Sequence, residues 1–379
     1  MPESRVAHKG SSPADAWVST AMQELRLTRF HELGGALFRP EAGWSVPAGY
    51  GSVDAEVRRV RHRAGMIDRS DRAKIELTGS ERVPFLDGVV TADMKILEHG
   101  MSAYALLLNE KSRVLGDLRV YAFADSLVLD IEAAQKENVL RILEKARVSD
   151  DVEFNDLGPA GHLEVHGPDA SGAVTGVLGT EVRGLPRNGF LTLPIARNAS
   201  ALVARIPSVG EPGHVIWSRE SSLSDVWERL SRAGVGPIGR DAWEVLRIEA
   251  GVPRVGVDLG EDTLALEGAP ESAISFTKGC YVRQEVVARG TYIGQIRRKL
   301  LGLDVEGDLP PNHGDRVSAG GRDVGAVTSG AWSPTRSGAI AMALLRVDAV
   351  SEGNALFIDR GGWDLRARLH ALPFVPGSA

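Results

Sequence analysis

TADMKILEHGMSAYALLLNEKSRVLGDLRVY, residues 91–121, supplies two strand-like runs, at 103–108 and 113–123. A third run follows at 127–131, and then a helical pattern over 134–146 whose buried positions are Val139, Ile142 and Leu143. Upstream, AKIELTGS (73–80) alternates apolar and polar residues as a half-buried strand does and turns at Gly79; Phe85, Leu86 and Val89 suit a short helix after it. Residues 53–62 form a charged, exposed helix closed by Ala64-Gly65. Before that lies an arm in which Leu25, Phe30, Leu33 and Leu37 give an imperfect helical spacing, ending in the turn-rich GWSVPAGYG of 43–51. Residues up to about Pro13 read as flexible.

Downstream the pattern restarts. Strands are expected near 162–166, 201–206 and 214–218, with helices near 225–233 and 240–250. Strands and helices mixed without strict alternation give α+β layers rather than a doubly wound sheet. Past Leu300 the texture changes to short runs at 301–305, 323–328, 339–345 and 355–358, separated by Gly, Pro and Asn. With no helix between them, they read as a small antiparallel barrel or sandwich.

Composition narrows the functions. The 379 residues exceed the roughly 250–300 at which one hydrophobic core stops growing, so two or three modules are expected. The chain is 43% hydrophobic and 25% charged, with a net charge of −6, which excludes a disordered chain and argues against a general phosphate-backbone binder. Cys280 is the sole cysteine, so no intrachain disulfide and no cysteine-built zinc site is available. MPESRVAHKG has no apolar core of a secretory signal, and no apolar run reaches the ~20 residues needed to cross a bilayer; a cytoplasmic protein is expected.

Several motifs invite chemistry and meet a plainer explanation. Gly234-Val235-Gly236-Pro237-Ile238-Gly239 fits G-x-G-x-x-G, but a helix precedes it where the dinucleotide fingerprint needs a strand, and Pro237 removes an N–H; a helix–helix turn is expected. His162, Glu164 and His166 share one strand face, a geometry that can hold a metal and that equally describes an exposed polar face with Leu163 and Val165 turned inward. No metal is expected, since no further His or Cys lies nearby. Arg58 to Arg63 and Arg297-Arg298-Lys299 are basic clusters without the interleaved aromatics of a nucleic-acid platform. Cys280 lies in KGCYVRQE, after a strand-like run at 274–276 and between Lys278 and Arg283. Cationic neighbours lower a thiol's pKa, so a reactive thiolate and an inert buried cysteine both remain open.

That KGCYVRQE stretch resembles the KGCYxGQE signature of the YgfZ family of folate-binding proteins. Phe30 to Gly51 (FHELGGALFRPEAGWSVPAGYG) resembles the opening of the glycine-cleavage T-protein, the aminomethyltransferase family, and Thr91 to Tyr121 its central folate-site segment. Val324 to Pro334 (VGAVTSGAWSP) and Pro373-Phe374 resemble its C-terminal barrel. The matches span most of the chain after about residue 25 and keep the family's order. The resemblance implies an α+β, three-module cloverleaf around a central folate channel, with a C-terminal antiparallel β-barrel. The expected division is a flexible 1–24, a folate-binding region over 25–294 (subdomains 52–150 and 151–294 plus the arm) and a barrel over 295–379.

The resemblance also assigns roles. Asp117 in GDLRVY matches the catalytic aspartate, Glu211 in VGEPG the pterin-holding glutamate, and Tyr104 in SAYALLLN a tyrosine lining the channel. Arg240 resembles an arginine of the folate and substrate site, displaced by about one helical turn from the EAG anchor. The physics is compatible: an ionised carboxylate accepts two parallel N–H bonds from a pterin edge, and an aspartate beside the folate nitrogens stabilises a protonated one. Four positions depart from the families' patterns. Arg283 replaces the YgfZ glycine, Gly116 the first residue of an Asp-Asp pair, Ala92 the middle of Thr-Asn-Asp, and Glu132 an asparagine. The expectation is a tetrahydrofolate-dependent aminomethyl or methyl transferase, with a lipoyl carrier protein as partner if it is a true T-protein. The alternative is a YgfZ-type accessory protein serving iron–sulfur proteins through Cys280.

Overall fold

The computed structural model describes residues 22–278, 296–350 and 355–377. The arm comprises β1 (Gln23–Glu24), α1 (Thr28–Leu33), β2 (Leu37–Glu41) and β3 (Trp44–Gly49), and its strands form a three-stranded sheet. The helical reading of the arm holds over α1, which carries Phe30 and Leu33, and fails beyond it, where Leu37 opens a strand. Leu25 is buried and Phe30 half-buried, whereas Leu33 and Leu37 are 79% and 68% exposed, so the spacing marks a buried face only in its first half. GWSVPAGYG is mostly strand, because Ala42 and Gly43 at positive φ make the hairpin turn before it. The expectation of a flexible 1–24 lies outside the described residues except for 22–24, of which Gln23–Glu24 form β1.

Next come α2 (Val53–His62), β4 (Gly65–Asp68), β5 (Ala73–Thr78), α3 (Arg82–Val89), β6 (Ser102–Leu108), β7 (Val114–Ala122) and β8 (Leu127–Ile131). A 3-10 turn at Ala133–Gln135 leads into α4 (Lys136–Ala146) and β9 (Glu153–Asp156). Strands β6-β7-β8-β5-β9 form one sheet. One face of it, with Ile75, Leu77, Leu118, Val120 and Leu129, packs on Phe85, Leu86, Val139 and Leu143 from α3 and α4. Alternation therefore sends the intervening residues to the opposite face.

The second layer adds β10 (Gly161–His166), α5 (Ala170–Leu178), β11 (Phe190–Ala196), β12 (Ala199–Arg205), β13 (Gly213–Ser218), α6 (Ser224–Arg232), β14 (Gly236–Pro237) and α7 (Arg240–Glu249). Its sheet runs β11-β12-β13-β10-β4-β14. Strand β4 comes from before the first sheet, so the expected division at residue 151 does not coincide with sheet membership. The glycine-rich GVGPIG links α6 to α7, with β14 paired to β4 in parallel. Residues 274–276 are a turn region rather than the expected strand, because Ser275 N–H donates to Thr91 outside any ladder.

After α8 (Ala265–Gly268), strands β15 (Arg298–Val305), β16 (Arg316–Ala319), β17 (Arg322–Ser333), β18 (Gly338–Arg346), β19 (Leu356–Asp359) and β20 (Asp364–His370) close an antiparallel barrel. It encloses Leu303, Val317, Ala341, Ile358 and their neighbours. A separate cluster joins α2 and α7 to Met342 and Phe374, fixing the barrel against the layered region. The architecture is thus the expected α+β layers with an antiparallel barrel. No helix among the described residues is long and apolar enough to cross a membrane.

Candidate functional site

Two polar sheet faces meet inside the protein. On β7, Leu118, Val120 and Ala122 face the helices, so Asp117, Arg119 and Tyr121 face the other way. The register sets Tyr104 opposite Arg119, Arg119 opposite Asp130, and Asp130 opposite Lys74, a polar row across four strands. The second sheet presents His162, Glu164 and His166 of β10 to this row, with Leu163 and Val165 in its own core. Lys74 Nζ lies 3.0 Å from His162 Nδ1 across the interface. The three residues do share a face, as expected, but they are buried rather than exposed, because the first sheet covers them.

Asp117 sits at one end of this row. Tyr104 Oη donates to its Oδ2 at 2.8 Å and Gln135 Nε2 to its Oδ1 at 2.7 Å. Burial pushes the Asp117 carboxyl up; the two hydrogen bonds pull it down less strongly, and nearby Glu132 adds to the rise. A buried carboxyl raised above its ordinary range is a candidate acid–base group. Two of the expected residues, Tyr104 and Asp117, are thus in direct contact. Sequence reading missed Gln135, whose place in a polar link before a helix carries no distinguishing pattern.

Cations knit the row together. Arg72 Nε donates to Asp130 Oδ1 at 2.7 Å and the same guanidinium reaches Glu132, while Arg69 Nη2 donates to Glu132 Oε1 at 2.6 Å. Burial pushes Asp130 and Glu132 up, but these cations outweigh it and hold both below the carboxylate range. The Arg69 guanidinium stacks 4.7 Å from the Trp243 ring centroid. Arg240, the first residue of α7, pairs with Asp71 at 2.5 Å, one turn before Trp243. Arg69, Glu132, Arg240 and Trp243 line one small cavity of about 10 Å³, covered by Arg39 and Glu41 of the arm. That is room for about one water.

Glu211, in the turn between β12 and β13, lies beside the other end of α7. Arg61 donates to Glu211 Oε1 at 2.6 Å and to Glu249 Oε2 at 2.5 Å, so Glu211 is tied to the helix end opposite Arg240. At 1.5 Å rise per residue those ends are roughly 13–15 Å apart. The structure brings Asp117 and Tyr104 into direct contact, links Arg240 through Asp71 and Arg69 to Glu132, and keeps Glu211 interior at the Arg61 pair. Cys280 and Arg283 lie outside the described residues. Lys278, the last described residue of that stretch, donates from Nζ to the carbonyls of Asp87, Val90 and Ala92 at 2.7–2.8 Å.

This buried network predicts a two-stage response to acid. Burial pushes His162 well below its ordinary value, with Lys74 adding to it, and burial beside His166 and Arg205 pushes His214 down to about 4. The unfolded chain takes those protons below about pH 6.5 and the folded chain does not, so stability falls as pH drops through that range. Asp130, Glu132 and Glu164 are held low instead, so their contribution is present above about pH 4 and is lost as pH falls further toward their folded values. Urea unfolding across pH 3–8 should show both slopes. His162→Gln with His214→Gln should flatten the upper one, and an unchanged slope in that variant would refute the assignment.

Comparison with known proteins agrees with this architecture. Residues 27–278 match the GCVT N-terminal domain, and residues 298–376 match the glycine cleavage T-protein C-terminal barrel domain. The aminomethyltransferase of Rubrobacter xylanophilus is 30% identical over 365 residues, covering 94% of this chain and 96% of that protein. That of a Synechococcus species is 32% identical over 346 residues, covering 90% and 96%. The crystal structure of glycine cleavage system aminomethyltransferase T from Bartonella henselae superposes with a TM-score of 0.85 at 26% identity, covering 94% of this chain and 98% of that one. With both domains matched in order over nearly its whole length, the chain belongs to the glycine-cleavage T-protein, or aminomethyltransferase, family.

Proposed function

We propose that this protein is a cytoplasmic transferase that moves an aminomethyl or methyl carbon onto tetrahydrofolate, with Asp117 as its acid–base group. The observation that carries the reading is the Asp117 carboxylate, held by Tyr104 and Gln135 on an interior sheet face and raised by burial. Aminomethyltransferases use tetrahydrofolate as substrate. The chemistry of the side chains suits that molecule. Arg69 Nε, Arg240 Nε and Trp243 Nε1 are buried N–H groups without hydrogen-bond partners, ready for acceptor atoms, while Asp117 and Glu132 offer acceptors to N–H groups. The water-sized cavity lined by Arg69, Glu132, Arg240 and Trp243 must widen to admit tetrahydrofolate, so the arm's Arg39–Asp241 and Glu41–Arg254 pairs part on binding.

When bound, tetrahydrofolate supplies the nucleophilic nitrogens that accept the carbon. With an aminomethyl-lipoyl donor, the carbon's bonds to its amine and to the carrier sulfur would break as the folate nitrogens bond it. Asp117 would pass on a proton they lose, and ammonia and the carrier's free thiol would leave. Tyr104 fixes the Asp117 oxygen, and Arg240 meets anionic or acceptor groups. For Glu211 to hold the pterin as the resemblance implies, it must share its carboxylate between that edge and Arg61. A lipoyl carrier protein is the donor partner in this reading. The accessory-protein alternative rests on Cys280, and no described residue adds to it.

Titration calorimetry with tetrahydrofolate, followed by assay of methylenetetrahydrofolate formation from an aminomethyl-lipoyl carrier, tests the proposal. Saturable binding and product formation are expected. No heat of binding overturns the folate reading, and binding without transfer from any donor overturns the transferase reading.

A further inference from the structure

We propose that Gln135 is a positioning residue for Asp117, and that glycine at position 116 is what admits its amide. The contact has two points: Gln135 Nε2 donates to Asp117 Oδ1 at 2.7 Å, and the Asp117 backbone N–H donates to Gln135 Oε1 at 3.0 Å. One primary amide therefore grips both the backbone and the carboxylate of the same residue. Tyr104 Oη holds the other oxygen at 2.8 Å, so both side-chain torsions of Asp117 are fixed and one lone pair on each oxygen stays available. A group that must meet a reacting atom within a few tenths of an ångström gains from such fixing.

Gly116 explains why the amide can reach. A glycine in a strand interior weakens the strand, and its usual justification is a special backbone angle or a close approach. Gly116 is not among the residues at positive φ, so the first does not apply. A Cβ built at position 116 would lie 3.1 Å from Gln135 Oε1 and 3.4 Å from Val139 Cγ2, so the second does. The glycine that interrupts the family's Asp-Asp pair and the glutamine nineteen residues later are spatially complementary: the absence of one side chain makes room for the other.

The consequence is read at Asp117 itself. The charged and titratable groups around it are Tyr104 from β6, Arg119 from β7, Glu132 at the end of β8 and Arg72 before β5. Glu132 disfavours the Asp117 anion and Arg72 favours it, while the Gln135 donor stabilises that anion against burial. Removing the donor should raise the Asp117 titration midpoint by roughly one pH unit, the equivalent of one hydrogen bond to a charged group.

The assignment rests on Asp117 being the acid–base group, but its test does not require folate. Protein labelled with carbon-13 at the aspartate carboxyls, with the Asp117 resonance identified by its loss in Asp117→Asn, is titrated without ligand. Gln135→Ala should move the midpoint up by about one unit, and Gly116→Ala should move it the same way by less as the new methyl displaces the amide. Gly116→Ala should add nothing in the Gln135→Ala background. Where folate transfer is measurable, kcat should fall with KM nearly unchanged. An unmoved midpoint in either folded single variant, or additive shifts in the double variant, overturns the proposal. Absence of folate turnover with the predicted titration shifts would count against the transferase reading alone. If Gln135→Ala does not fold, the midpoint in Gly116→Ala decides.

Discussion

Asp117→Asn is expected to lower kcat/KM for one-carbon transfer by roughly two to four orders of magnitude, the usual contribution of a positioned acid–base group. That loss corresponds to about 3–5 kcal/mol of transition-state stabilisation. Asparagine keeps the shape, and its amide oxygen still accepts the Gln135 donor, while its NH₂ can donate to the Tyr104 oxygen once that hydroxyl turns. Fold and folate affinity should therefore survive, with the melting temperature within a few degrees and the calorimetric Kd within a few-fold of the parent. What disappears is the ability to change protonation state. A variant retaining more than about a fifth of parental kcat/KM would show that the proton moves elsewhere.

Arg247→Leu should cost about 3–5 kcal/mol of stability, the typical penalty for stripping one partner from a buried ion pair. Arg247 on α7 donates to Asp258 Oδ2 and Ser329 Oγ, both at 2.5 Å, and to the Val252 carbonyl at 3.2 Å. Asp258 is itself buried and also accepts the hydroxyls of Thr328 and Ser329 on β17. This cluster joins α7 to the barrel, so leucine would leave an unpaired carboxylate in the joint between modules. The urea midpoint is the readout, and the m-value shows whether the unfolding reaction has kept its extent. Adding Asp258→Asn should recover part of the loss, since the uncompensated charge is then gone. A single-variant loss below about 1 kcal/mol would show that the cluster is solvated or redundant.

The sequence marked this site unevenly. Alternation in 73–80 located β5 and the apolar run at 127–131 located β8, and the pleat of those strands turns Lys74 and Asp130 away from Ile75, Leu77, Leu129 and Ile131. The Thr91–Tyr121 stretch located β6 and β7, and with them Tyr104 and Asp117. The arm misled only past α1, because Leu33 and Leu37 keep the helical spacing without a partner surface; there Pro40, Pro47 and the Ala42-Gly43 turn make a hairpin. Gln135 carried no local signal, since its role depends on a missing side chain on β7. Glu132 was visible as a departure from the family's pattern, but the guanidiniums that hold it belong to residues 63 and 60 positions earlier.

Periodicity is a local property: it assigns each residue to one face of its own element, because side-chain direction follows from the backbone dihedrals of a few neighbours. By itself the sequence therefore located β5 to β8, β10, β12 and β13, the helices α2 to α4, α6 and α7, the change to a barrel past Leu300 and the family motifs along them. Which polar face meets water and which meets another sheet depends on pairings between segments far apart in the chain. Only the tertiary structure could bury His162 beside Lys74, tie Glu211 to Arg61 and bring Gln135 to Asp117, because each contact is fixed by packing across layers.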